Sequence, residues 1–362
     1  MPSSLRREIG QLLIGSLPAT TIAPEMRSLA REFQLGGVTF FKRNIEAPEQ
    51  VAELSHDLQA LASDLPPWVA VDQEGGRVAR LRDPFTEWPP MATLGRAGDG
   101  KLAYRFAAAL AAELKAVGIS LDFAPVLDIH TNSKNPIIGD RALGEDAETV
   151  ARLGAAIIRG LQENGMAACG KHFPGHGDTS VDSHLALPLV EHPPDRIRRV
   201  ECVPFREAIR NDVAFIMTAH ILVPSLDEQR PATLSPTIVR GMLREELDFN
   251  GVILSDDLEM KAIADTYSVP DAAVQAIGAG CDGVLVCSGN VDLQAEVLEA
   301  LIHAVEEERI PYKRAEDALN RNRKAKERFL ASPVAPGRRA SLRQVLGSDE
   351  HRRIAEEMAR HL

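Results

Sequence analysis

Residues 167–184 read AACGKHFPGHGDTSVDSH, a short apolar run that gives way abruptly to a lysine, three histidines and two aspartates. A run of this length, stopped by Pro174 and Gly175, reads as a buried strand, and the polar block behind it as a loop. Similar runs recur at 12–17 (LLIGSL), 36–42 (GGVTFFK), 68–73 (WVAVDQ), 119–126 (ISLDFAPV), 214–220 (AFIMTAH), 251–256 (GVILSD) and 282–287 (DGVLVC). Between them lie stretches of helical periodicity at 101–117, 147–164, 196–210, 235–247 and 291–308, several opened by Ser or Asp residues that can cap. Strand followed by helix, repeated, is the mark of βα units around a parallel sheet, and eight strands are the number that closes a barrel. The expected fold class is α/β, a single (β/α)8 TIM-type barrel.

No low-complexity linker or internal repeat divides the chain, which places one catalytic domain at 1–330. Residues 331–362 begin with a Pro/Gly-rich connector and end in a charged amphipathic helix after Ser348-Asp349. That extension either packs on the outside of the barrel or stands in solvent.

Forty-one Lys and Arg against 52 Asp and Glu leave a formal charge of −11. Such a surface repels an extended phosphate backbone, so nucleic acid is not an expected partner. The apolar stretch from Leu12 to Leu17 is too short for a secretory h-region, and Pro18 ends it. The reading is a cytoplasmic protein without a membrane span. Cys169, Cys202, Cys281 and Cys287 are scattered, none in a CxxC pair, and read as small buried hydrophobes. No interface patch is legible, and a monomer is expected.

In a closed parallel barrel the active site is built at the carboxyl ends of the strands, so polar residues at those ends need an explanation. The run at 68–73 leads into Asp72-Gln73-Glu74-Gly75-Gly76-Arg77, that at 119–126 into Asp128, and that at 167–173 into Lys171-His172. The runs at 214–220 and 251–256 end in His220 and in Asp256-Asp257. Convergence on one mouth follows. In Asp182-Ser183-His184 the carboxylate can hold one imidazole nitrogen and leave the other facing a substrate, and imidazole exchanges protons near neutral pH. A metal site is the competing reading, but no H-x-x-x-H pair or second ligand cluster accompanies these residues, and no metal or cofactor is expected. Asp256 closes an apolar run where a carboxylate is costly unless used, whereas Asp257 reads as the cap of the next helix. Gly75 and Gly76 let backbone approach a ligand beside Asp72, and Arg80 and Arg141 can reach the same pocket to bind hydroxyl groups.

Six blocks in this order carry a resemblance: GGVTFFKRN at 36–44, VDQEGGRVARL at 71–81, NPIIGDRALGED at 135–146, KHFPGHGDTSVDSH at 171–184, PATLSP at 231–236 and SDDLEM at 255–260. Together they closely resemble the NagZ-type β-N-acetylglucosaminidases (β-N-acetylhexosaminidases) of glycoside hydrolase family 3. The resemblance implies that Asp256 is a nucleophile and His184 an acid/base catalyst paired with Asp182. It implies that Asp72, Arg80, Arg141, Lys171 and His172 bind the sugar. The reaction it implies is retaining exo-cleavage of N-acetylglucosamine from peptidoglycan-derived muropeptides, with a small carbohydrate as the partner. Alternatives are a β-glycosidase or phosphorylase of other specificity, a sugar-binding barrel without chemistry, and a metal-dependent hydrolase using His172, His176 and Asp178. A substrate-assisted mechanism, with Asp256 and Asp257 orienting the sugar's own acetamide, is the rival within hydrolases.

Overall fold

The computed structural model describes residues 3–62, 64–330 and 339–362. Eight parallel strands close on themselves in sequence order. They are β1 (Leu13–Ser16), β2 (Gly37–Phe40), β3 (Trp68–Val71), β4 (Leu121–Asp122), β5 (Ala167–Phe173), β6 (Phe215–Thr218), β7 (Val252–Asp257) and β8 (Gly283–Leu285). The seam joins the first strand to the last, with Leu13 opposite Val284 and Ile14 opposite Leu285. Each predicted run holds one of these strands, with β7 running one residue past 251–256. The run at 119–126 keeps only two ladder residues, because Pro125 has no N–H to give to a sheet.

Helices fill the connections: α1 (Pro24–Phe33), α2 (Pro48–Gln59), α3 (Gly100–Ala116), α4 (Ala147–Glu163), α5 (Val203–Arg210), α6 (Thr237–Glu246), α7 (Val269–Ala279) and α8 (Val291–Glu306). Their starts are set locally. Asp99, Asp146, Ser268 and Asn290 each accept a backbone N–H of the first turn, and α1 and α2 open on proline. The single helix expected at 196–210 is two, Pro194–Arg199 and α5, because Pro204 belongs to a first turn and cannot continue a helix through its own nitrogen.

Alternation along the strands sorts two cores. Ile14, Trp68, Phe123, Phe215, Met217, Val252 and Leu254 fill the barrel, while Val69, Val71, Ile216, Ile253 and Val284 pack outward against the helices. The barrel floor is closed by α9 (Tyr312–Leu330), whose Phe329 ring lies 6.4 Å from Trp68. The Pro/Gly-rich connector of the sequence reading falls largely at 331–338, outside the described residues. Beyond it, α10 (Asp349–Ala359) is capped by Ser348 and docks on the outside of the barrel. There the buried Glu113 accepts hydrogen bonds from the Gly347 nitrogen and from Thr86, and pairs with His351 at 2.8 Å. No helix among the described residues is long and apolar enough to cross a membrane. All four cysteines are free and buried.

Candidate active site

The alternation that fills the barrel also sets the mouth. Val252 and Leu254 point inward, so Asp256 does as well; Ala167 and Cys169 point inward, and so does Lys171. Between Lys171 and Phe173 the register of β5 against β6 slips, and His172 joins Lys171 on the cavity wall. The cavity, of about 190 Å³, is lined by Asp72, Arg80, Arg141, Lys171, His172, His184 and Asp256. Phe41, Phe123, Met217 and Met260 supply apolar wall.

One side of the cavity is a charge network. Lys171 Nζ lies 2.8 Å from Asp72 and 2.7 Å from Glu74. Arg141 grips both oxygens of Glu74, at 2.9 and 2.8 Å, and Arg80 meets Asp72 at 3.1 Å. Burial alone would raise both carboxyl groups. Lys171 and Arg80 outweigh it at Asp72, and Arg141 with Lys171 at Glu74, so both stay below the ordinary carboxylate range. The same contacts raise Lys171 against its own burial, which keeps it charged. Gly75 and Gly76, both at positive φ, turn the chain between Gln73–Gly75 and Val78–Ala79 and bring Arg80 back over Asp72.

A second network runs beneath the β5 loop. Asp128 accepts from the backbone nitrogens of His172 and His176 and pairs with His172 Nδ1 at 2.7 Å. Burial opposes its charge, but the two histidines hold it below the usual range. Burial pushes the imidazole of His176 down to about 4, leaving it neutral. On the exposed loop, Asp182 Oδ1 accepts the backbone nitrogen of His184 and meets its Nδ1 at 2.9 Å. Among the described residues no hydrogen bond takes up His184 Nε2. On β7, Asp256 Oδ1 accepts the Asp257 nitrogen at 2.8 Å, leaving Oδ2 available to a ligand.

Asp257 does not cap a helix. The next helix, Lys261–Ala264, starts without a side-chain cap, and Asp257 instead ends β7, accepts the Glu259 nitrogen and lines the cavity. Burial, with Glu259 and Asp256 adding repulsion, pushes its carboxyl up to about 7. His172, His176 and Asp178 are not arranged as a ligand trio. His176 engages Thr179 and Ser183, and Asp178 meets His192 at 2.6 Å. The sequence reading left Glu74 out of the site, because nothing local announces a partner 67 residues away. Asp128 was read as one of the polar strand-end residues at the mouth and His176 as a ligand of the alternative metal site, neither with the buried hydrogen bonds it makes here, and Asp122, buried with Oδ2 unpartnered, was read as part of a strand.

A carboxylate and an imidazole–carboxylate pair beside a cradle of charged side chains at the mouth of such a barrel define a class, the barrel enzymes that cleave glycosides. Known proteins narrow it: residues 4–324 match the glycosyl hydrolase family 3 N-terminal domain, and the chain belongs to that family. It is 34% identical over 366 residues to the beta-hexosaminidase A of Pseudoalteromonas piscicida, covering 94% of this chain and 60% of that protein. The family 3 β-N-acetylglucosaminidase of Paenibacillus sp. str. FPU-7 superposes with a TM-score of 0.93 at 42% identity, over 99% of this chain and 68% of that one. NagZ from Neisseria gonorrhoeae, in complex with N-trifluoroacetyl-D-glucosamine, matches with a TM-score of 0.81 at 32% identity, over 97% of each chain.

Proposed function

We propose that the chain is a retaining exo-β-N-acetylglucosaminidase that removes terminal N-acetylglucosamine from peptidoglycan-derived muropeptides in the cytoplasm. The observation that carries the reading is the shared cavity: Asp256, on a barrel strand, and His184, on the β5 loop, line one pocket, and Asp182 holds the far nitrogen of that imidazole. The names of the Paenibacillus and Neisseria relatives, and the N-acyl glucosamine bound in the latter, supply the sugar.

In the first step Asp256 Oδ2 attacks the anomeric carbon as His184 Nε2–H protonates the departing glycosidic oxygen, and the aglycone leaves as an alcohol. Asp182 stabilises the doubly protonated imidazole through Nδ1–H. His184, now neutral, takes a proton from water at Nε2, and the resulting hydroxide displaces the sugar from Asp256. Asp72, Arg80, Arg141, Lys171 and His172 grip the sugar's hydroxyl groups, so binding energy from the non-reacting edge of the ring orients the reacting one.

A panel of aryl β-glycosides with and without the 2-acetamido group tests the sugar, and preference for the acetamide is expected. A 2-fluoro sugar with a good leaving group tests the nucleophile. It should add a glycosyl mass to the peptide carrying Asp256, and Asp256→Ala should show neither adduct nor turnover. An adduct-free enzyme that is still blocked by thiazoline mimics would establish the substrate-assisted route instead.

A further inference from the structure

Among the described residues His184 has no hydrogen bond to the barrel: its backbone nitrogen and Nδ1 both go to Asp182, two residues away on the same loop. Its side chain is 66% exposed. Flanking residues are no better tied, and Val181, Leu185 and Leu187 are exposed. Ser183 is the exception, at 3% exposed. Its hydroxyl lies 3.3 Å from His176 Nε2, and its carbonyl accepts the Ala262 nitrogen at 3.1 Å. Among the described residues these are the hydrogen bonds that join 180–187 to the rest of the molecule.

His176 is itself fixed on three sides. Its nitrogen donates to Asp128 at 2.6 Å, its carbonyl accepts from Asn135 at 2.8 Å, and its Nδ1 lies 2.7 Å from Thr179 Oγ1. The Thr179 hydroxyl is within donating reach of the His176 carbonyl at 3.1 Å. Either ring tautomer keeps both links: Nδ1–H donating to Thr179 with Nε2 accepting the Ser183 hydroxyl, or Nδ1 accepting from Thr179 with Nε2–H donating to Ser183. Asp128 also holds His172, so a sugar-facing residue and the acid/base loop hang from one buried carboxylate. Ala262 follows the strand that carries Asp256, so Ser183 is held from the two sides of the reaction at once.

We propose that His176, acting through the Ser183 hydroxyl, is the positioning residue that sets the Asp182–His184 pair over the leaving-group oxygen. This rests on His184 being the general acid. Without the bond the loop is free to swing, and general-acid help, worth about 10²- to 10⁴-fold, is available for only part of each encounter. A substrate whose leaving group needs no proton is then indifferent to the loss.

The test compares kcat/KM for a methyl and a 2,4-dinitrophenyl β-N-acetylglucosaminide, since that ratio reports the step in which the aglycone leaves. Ser183→Ala is expected to lose about 10- to 100-fold on the methyl glycoside and less than about threefold on the dinitrophenyl one. Its melting temperature and its inhibition constant for N-acetylglucosamine should not change. His176→Phe should show the same selectivity, and the double variant should lose no more than the larger single loss, because both changes cut one link. Equal losses on the two substrates, no loss on either, or additive losses in the double variant would overturn the proposal. His184→Ala is the control for the underlying assignment: if it shows no preference between the substrates, the acid/base reading of His184 falls, whatever Ser183 does.

Discussion

Glu74, 2% exposed, is the residue on which the charge network of the proposed sugar cradle turns. Two hydrogen bonds from Arg141 and an ion pair with Lys171 converge on its two oxygens, and each of those cations also lines the cavity. Glu74→Gln keeps the shape but replaces an acceptor with a donor pointed at a cation. Removing one partner of a buried pair costs about 3–5 kcal/mol, and both cations are then released to shift. A raised KM together with a lower urea midpoint is the expected result, and a variant with wild-type KM would show that the cradle does not depend on Glu74. Asp257 makes the opposite prediction. Its carboxyl titrates at about 7 in the fold and near 3.9 in an unfolded chain. The folded state therefore binds the extra proton between these values, and stability falls as pH rises from about 4 to 7, by at most about 4 kcal/mol. Asp257→Asn still accepts the Glu259 nitrogen and carries no charge to bury. Its urea midpoint should exceed that of the wild type at pH 8 and approach it at pH 4.

At the scale of elements, β5 and β7 were the most legible parts of the sequence and the β5 loop the least. Their place at the carboxyl ends of apolar runs was enough to put Lys171 and Asp256 at the barrel mouth, and the two faces of a strand then turn both inward. Local breakers were visible as well, and Pro125 and Pro204 account for the shortened strand and the divided helix. Asp257 was misread because a carboxylate before a helix usually caps it, whereas here β7 runs one residue further and burial claims the side chain. The hydrogen bonds beneath the loop were not legible at all. Asp128, Asn135 and His176 meet only because two βα loops pack together, and no spacing within either loop encodes that meeting. Gly177 marks the closest approach: a Cβ there would collide with the carbonyl of Ile129. Gly177→Ala must push the two loops apart, although the residue does not line the cavity. A fall of about tenfold or more in kcat/KM, with faster amide exchange confined to 175–187, is expected. Wild-type activity would mean that the loops tolerate separation.

Across the whole molecule the two ends of the barrel divide the work, and charge makes the division testable. The chain carries a net −11, yet both ends gather arginine around buried carboxylate. At the mouth, Asp72 and Glu74 pair with Arg80, Arg141 and Lys171 along the wall of the cavity proposed to hold the sugar. At the floor, Asp282 is fully buried and faces Arg244 at 2.5 Å, Arg314 at 2.8 Å and Arg321 at 3.1 Å, while Oδ2 accepts the Ile253 nitrogen. Two of those arginines belong to α9, so this carboxylate fastens the helix that closes the floor. Charge at the amino ends of barrel strands bears on stability and charge at the carboxyl ends on chemistry. Asp282→Asn leaves three guanidinium groups around a neutral amide and should cost about 3–5 kcal/mol in the urea midpoint, while kcat of the protein that remains folded stays unchanged. Asp72→Asn should do the reverse, with a small shift in midpoint and a large loss in kcat/KM, because Lys171 keeps Glu74 as its partner and Arg80 is partly open to solvent. If Asp282→Asn lowered kcat at a temperature where the variant is fully folded, the floor would be coupled to the mouth through the strands, and the separation argued from burial and position would fail.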